Sequence, residues 1–237
     1  MGTATPVDER AIGNFSNHQT VWLDADIGDP KNHIEFKNLF HKLIQPLETI
    51  LPTKDHPQYN ETEIDIPIME DEKYITQLKQ SVYNLILFKD SEDCFKFIET
   101  NPNKKIFLIT SGSLGSSIVP RIAHFPQIEG VFIFCFNQDR HYKWAVDFCE
   151  IILSDLLIHH DDLLFHLTKN VGKCLESKGD THIQNNETFK AQNCFAWTKK
   201  LYGRAQEFAQ VNMYKDISNI DKKIEMAETS QSSSSSP

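Results

Sequence analysis

At 237 residues the chain has room for one sizeable core plus an appendage, and 40% hydrophobic residues, with 16 Phe, supply ample apolar surface to bury. The formal net charge of -9, with no basic run, argues against a broad footprint for nucleic acid or anionic lipid, which needs clustered Lys and Arg. No window approaches the roughly 18 uninterrupted apolar residues of a membrane span, so the expectation is a cytoplasmic protein with no membrane and no nucleic-acid partner.

The start of the chain lacks a charged and then apolar leader. Met1-Gly2 invites myristoylation, but Pro6 stands where that motif wants Ser or Thr. Five cysteines, Cys94, Cys135, Cys149, Cys174 and Cys194, each lie beside an apolar residue and form no C-x-x-C pair. They read as free buried thiols, which argues against a disulfide framework and a zinc ribbon.

Residues 1–19 are polar and aperiodic and read as a flexible arm. Thr20 to Asp24 is a short apolar run ended by Asp26, Gly28, Asp29 and Pro30, the pattern of a buried strand and a turn. Phe36, Leu39, Phe40, Leu43, Ile44 and Leu47 then form an amphipathic helical stripe. Residues 51–68 carry three prolines and the beginning of an acidic stretch that runs from Glu61 to Glu72, and read as a surface insertion. Tyr74, Ile75, Leu78 and Val82 restore helical spacing ahead of a second strand, Leu85 to Phe88.

Asp90 and Ser91 offer N-caps to a helix burying Cys94, Phe95 and Ile98. Ile106 to Thr110 reads as the most central strand, followed by a small-residue loop, Ser111 to Ser117, that opens onto a helix with Ile118, Val119 and Ile122. Pro120 fits that helix if it lies in the first turn. Val131 to Phe136 is a fourth strand, His141, Trp144, Ala145 and Phe148 line the next helix, and Glu150 to Leu153 is a short fifth strand.

Strands apolar on both faces and alternating with helices call for an α/β domain: an open five-stranded parallel sheet with helices on both faces, plus a C-terminal helical extension. The domain is placed at 20–157 and the extension at 158–215. The extension holds one stripe from Leu163 to Cys174 that ends near Gly179 and another from Cys194 to Phe208. Residues 216–237 read as a low-complexity tail. Trp22, Trp144 and Trp197 sit in apolar stripes and read as core or domain-contact residues.

Ligands of such sheets gather beyond the carboxyl ends of the strands. Asp24 and Asp26 follow the first strand there, and two carboxylates so placed can hold a hard cation such as Mg2+. A turn acid and an N-cap explain the same pair. Ser111, Gly112, Ser113, Gly115 and Ser116 could turn backbone amides toward the phosphate of a nucleotide. They lack G-x-G-x-x-G and G-K-[ST], and a tight strand-to-helix turn explains them equally. Ser113 also stands as the nucleophile in a variant of G-x-S-x-G, with Asp139 or Asp155 and His159 or His160 as later partners, which would make a small hydrolase. His159-His160-Asp161-Asp162 reads as an ordinary helix start, since adjacent histidines point apart.

The segments VWLDADIG at Val21, KIFLITSGSLGSSIVPRI at Lys105 and GVFIFCFNQDRHYKW at Gly130 carry a resemblance. Val21 to about Leu157 resembles a eukaryotic family of N-terminal domains found ahead of ADP-ribosyltransferase or tetratricopeptide regions. These are degenerate relatives of the response-regulator receiver, with its flavodoxin-like fold. The resemblance implies a regulatory module whose partner is another protein or a fused domain. In receivers, acids after the first strand hold Mg2+ beside a phosphoacceptor Asp after the third. Asp24 and Asp26 match the acids, but Thr110 or Ser111 stands at the phosphoacceptor position and no Lys follows Ile151 to Asp155. The resulting expectation is a non-enzymatic pseudo-receiver, with a Ser113 hydrolase, a nucleotide-binding loop and a ligand-free scaffold as alternatives.

Overall fold

A computed structural model of the chain describes residues 18–27, 33, 34, 37, 40 and 85–234, with the side chains of 189, 193, 207, 208 and 230–234 excepted. The expected insertion at 51–68, the helical spacing of 74–82 and all of the first helical stripe but Phe40 lie outside the described residues. The described residues divide into a sheet unit that ends at Leu167 and a helical unit that begins at Thr168.

In the sheet unit, β1 (His18–Leu23), β2 (Leu85–Phe88), β3 (Lys105–Ser111) and β4 (Ile128–Phe134) form a parallel sheet in the order β2-β1-β3-β4. Three helices follow strands in chain order: α1 (Ser91–Thr100), α2 (Gly112–Ile122) and α3 (Gln138–Ala145). His18 and Gln19 belong to β1, so the expected arm reaches two residues too far.

Register explains the core. Val21 pairs with Leu108 and Leu108 with Val131, so one row of branched side chains crosses the three strands. Val21, Leu23, Ile106, Leu108, Val131 and Ile133 share a cluster with Cys94 and Ile98 of α1, Ile118, Val119 and Ile122 of α2, and Ala145 of α3. These three helices therefore cover one face of the sheet. Alternation sends Trp22, Phe107, Ile109 and Phe132 to the other face, where they are fully buried too.

The expected fifth strand is absent among the described residues. Ile152 and Leu157 make only isolated parallel bridges, to Val131 and Phe134. Ile152 to Leu157 is two residues longer than the stretch of β4 it flanks, and the excess bends away at Ser154 and Asp155, so no continuous ladder forms. The sheet has four strands, and β4 runs from Ile128 to Phe134 rather than from Val131 to Phe136.

The helical unit comprises the part of α4 (His160–Gln184) from Thr168 onward, with α5 (Thr188–Ala209) and α6 (Tyr214–Ser234). The extension begins later than expected because the first turns of α4 belong to the sheet unit. Gly179 was expected to end the helix, yet α4 continues to Gln184. A Cβ on Gly179 would lie 2.4 Å from the Phe195 ring, and one on Gly172 would lie 2.6 Å from the Tyr202 ring. These glycines sit seven residues apart, as do the two rings, so they admit α5 against α4 rather than cap it. The stretch 216–237, expected to be tail, is helical through Ser234 and buries Ile220 and Ala227. Lys223 of α6 ties it to Asp180 and Glu176 of α4 at 2.7 and 2.9 Å.

Capping separates two serine- and aspartate-rich starts. Asp90 Oδ1 accepts from the backbone N–H groups of Glu92 and Asp93 at 2.8 and 3.2 Å, whereas Ser111 occupies the N-cap of α2 without a side-chain bond. Asp90→Ala is therefore expected to lower stability by about 1 kcal/mol. Ser111→Ala should stay within about 0.5 kcal/mol. Urea unfolding of the two variants measures the contrast.

Candidate functional site

The carboxyl ends of β1, β3 and β4 bring Asp24, Thr110 to Gly112, and Phe134 to Phe136 to one edge of the sheet. Backbone and side chain at Asp24 are both engaged in the turn after β1. Asp24 N–H donates to Phe88 O at 3.0 Å, and Asp24 Oδ1 accepts from Asp26 N–H at 2.8 Å. Asp24 is half-buried and Asp26 exposed. Among the described residues neither belongs to a group of three ligating side chains close enough to share an ion.

The small-residue segment is helical from its second residue, since α2 begins at Gly112. Thr110 is fully buried and its hydroxyl donates to Ser111 O at 3.2 Å. A Cβ on Gly112 would stand 2.4 Å from the His141 ring, and one on Gly115 would stand 3.0 Å from Thr110 Cγ2 and 3.1 Å from the Trp144 ring. Both glycines thus admit the aromatic side of α3 against the first turn of α2. Ser116 Oγ donates to Ser113 O at 2.8 Å. Ser113 is exposed, and among the described residues no hydrogen bond connects its hydroxyl to an imidazole or a carboxylate.

The His141 imidazole packs against this turn, at Gly112. Trp144 Nε1–H donates to His141 Nδ1 at 3.2 Å, which leaves the ring proton of the neutral form on Nε2. Burial, with the Arg140 charge adding to it, holds the His141 pKa below the ordinary value. The ring is 8% exposed and oriented by Trp144, so it serves as a packing element at the α2–α3 contact.

Two histidines that spacing alone does not connect meet on the other face. His33 Nδ1 lies 3.3 Å from His160 Nε2 across 127 residues of sequence. His160 stacks on Phe134 at 5.0 Å and 15°, while His33 lies 4.8 Å from Trp22. Trp22 in turn meets Phe134 edge-on at 6.3 Å. His33 takes a left-handed backbone, φ 56°, which is uncommon outside glycine. Lys37 N–H donates to His33 O at 2.9 Å, so a helical turn begins there. The expected helix start at His159 to Asp162 is present, since α4 begins at His160 with Asp161 and Asp162 in its first turn, but that reading did not connect His160 with His33. The polar neighbours His159, Asp161 and Asp162 held no signal for a partner so distant.

Other expectations are corrected at single residues. Cys94, Cys135 and Cys194 are buried, but Cys149 is exposed, because it follows a short 3-10 turn, Val146–Phe148, that ends the helix early. Burial pushes the Cys94 and Cys194 thiols up to about 12, so neither is a thiolate at neutral pH. Pro120 lies in the last turns of α2, not the first. No helix among the described residues is long and apolar enough to cross a membrane. No family model, no curated protein and no solved structure matches this chain.

The lowered pKa of His33 makes stability pH-dependent. Burial lowers the His33 pKa most, and Lys37 adds to it, against the raising influence of Asp24 and Asp26. A base whose folded pKa is depressed binds fewer protons folded than unfolded, so stability rises with pH across that window. It is complete above the ordinary imidazole value of 6.5 and falls as the pH drops from there toward the folded value. The melting temperature should fall over that range in the wild type. His33→Gln should flatten the fall, and an unchanged pH profile in that variant would count against the pair.

Proposed function

We propose that the sheet unit is a receiver-like module without phosphotransfer, working by binding another protein. The observation that carries this reading is Phe136, which stands 92% exposed directly beyond β4. Ile158 is exposed beside it, since Cys135 N–H donates to Leu157 O at 2.8 Å and holds the two segments together. Tyr142 on α3 and Val146, four residues on at the start of the 3-10 turn that follows it, are exposed apolar residues as well. Large aromatic side chains left in water near an edge are typical of surfaces that meet a partner.

The edge itself supports the same reading. Thr110 at the end of β3 is a buried hydroxyl bonded to backbone, where phosphotransfer would need an accessible carboxylate. Asp24 serves the turn, and the glycines serve packing. Among the described residues no base is bonded to the Ser113 hydroxyl, and an unassisted serine is a weak nucleophile.

Beryllofluoride with Mg2+ mimics an aspartyl phosphate and stabilises any state that binds it. For this chain it should leave the melting temperature unchanged, in the wild type and in the Asp24→Asn, Asp26→Asn double variant alike. A serine-directed fluorophosphonate should not label Ser113. Phe136→Asp should keep stability within about 0.5 kcal/mol. In cells, the same variant should lose the proteins that photo-crosslink to the wild-type chain. A beryllofluoride-dependent rise abolished by the double variant, or labelling at Ser113 lost in Ser113→Ala, would replace this reading with phosphotransfer or hydrolysis.

A further inference from the structure

The exposed ring of Phe136 stands where several acidic segments of the sheet unit converge. Cys135 N–H donates to Leu157 O at 2.8 Å, which sets the bend at Ser154 and Asp155 beside the end of β4. The His160 ring stacks on Phe134 at 5.0 Å and brings the first turn of α4, with Asp161 and Asp162, to the same end. His33 Nδ1 lies 3.3 Å from His160 Nε2, and Asp24 and Asp26 act electrostatically on His33. Asp139, in the first turn of α3, follows Phe136 by three residues.

The basic residues on these described segments are Lys37, Arg140 and Lys143, and Lys37 turns its ammonium to Ile27 O at 2.9 Å. Asp139, Asp155, Asp161 and Asp162 are exposed, and among the described residues they form no salt bridge. Acids in the first turn of a helix also favour its dipole, which accounts in part for Asp139, Asp161 and Asp162. Asp155 sits in a bend and has no such duty. The end of β4 thus combines a ring in water with an excess of negative charge.

We infer that this surface receives a segment of another protein in which Lys and Arg flank a large apolar side chain. The apolar group meets Phe136 and Ile158, and the cations meet the carboxylates. The inference rests on the binding role proposed for the sheet unit and adds the chemistry of the partner. A second copy of this chain would set like charges against each other here, and anionic lipid or nucleic acid would be repelled as well. Because the carboxylates are exposed, salt screens their attraction, so they govern approach and selectivity while the ring supplies the contact that holds.

Two synthetic amphipathic helices serve as probes, with the same Leu face and with polar positions all Lys in one and all Glu in the other. Their binding to the full chain is read by fluorescence anisotropy. The Lys peptide is expected to bind about tenfold tighter than the Glu peptide at about 0.05 M salt, and about 0.3 M salt should remove most of the difference. Asp155→Asn, Asp161→Asn and Asp162→Asn together should weaken the Lys peptide about tenfold and flatten its salt dependence. Glu99→Gln, Glu225→Gln and Glu228→Gln, the same change of charge at exposed sites elsewhere, should leave it within about twofold. Phe136→Ser should weaken it several-fold with the salt dependence kept. If the Asp triple fails to fold, Asp155→Asn alone, outside any helix, is compared with Glu228→Gln. Equal binding of the two peptides, equal losses in the two triples, or self-association that Phe136→Ser abolishes overturns the inference. Photo-crosslinks that still depend on Phe136 after such a result would leave the binding role standing, whereas crosslinks indifferent to Phe136→Asp would end both.

Discussion

A parallel sheet cannot leave a face in water, and the closing of both faces is the constraint on which the sheet unit depends. Val21, Trp22 and Leu23 are consecutive and all fully buried, which only a strand covered above and below permits. At about 25 cal/mol for each square ångström of apolar surface removed from water, such residues dominate the driving force for folding. The branched row of Val21, Leu108 and Val131 accepts α1 to α3 together with the rings of Phe95, Phe125 and Trp144, while Trp22, Ile109 and Phe132, paired across the strands, face the opposite way.

The same constraint shapes the carboxyl edge. Where the face under α1 to α3 ends, α2 and α3 come close enough that Gly112 and Gly115 must lack side chains. Where the opposite face ends, Trp22 and Phe134 present rings to His33 and His160. A sequence of small residues at a strand end invites a ligand cradle, and a histidine near acids invites catalysis. In this chain both are accounted for by the approach of neighbouring elements, and the polar atoms left over turn to backbone or to one another.

The four strands were legible because each is a compact apolar run bounded by turn residues, and a period of two needs no knowledge of distant partners. The fifth run, Glu150 to Leu153, carried the same local signal, but its excess length against β4 belongs to register, which a single segment does not display. Gly179 misled for a related reason. Glycine marks a helix end when its backbone turns left-handed and marks close packing when a ring faces it, and only the position of Phe195 distinguishes these. The tail at 216–237 was obscured by its serines, though Ile220 and Ala227 already stood two turns apart. As for the candidate site, Asp24, Ser111 and Gly112 were correctly placed at the edge. His33 and His160 were not connected, because their contact spans 127 residues.

Catalysis requires donors and bases to converge on a reacting atom, whereas binding requires only a surface whose exposure is worse than its burial. Among the described residues no base is hydrogen-bonded to Ser113, and two of the imidazoles are held by rings: His141 by Trp144, His160 by Phe134. Exposure, by contrast, is concentrated just past β4, where Phe136 leaves a ring in water at the point where Leu157 rejoins the sheet. The interrupted ladder beside β4 is the physical link between these facts. The bend at Ser154 and Asp155 returns the chain to β4 at Leu157, opposite Phe134, and Phe136 follows Phe134 by two residues. The irregularity that shortens the sheet to four strands thus lies beside Phe136, the most exposed large hydrophobic side chain among the described residues.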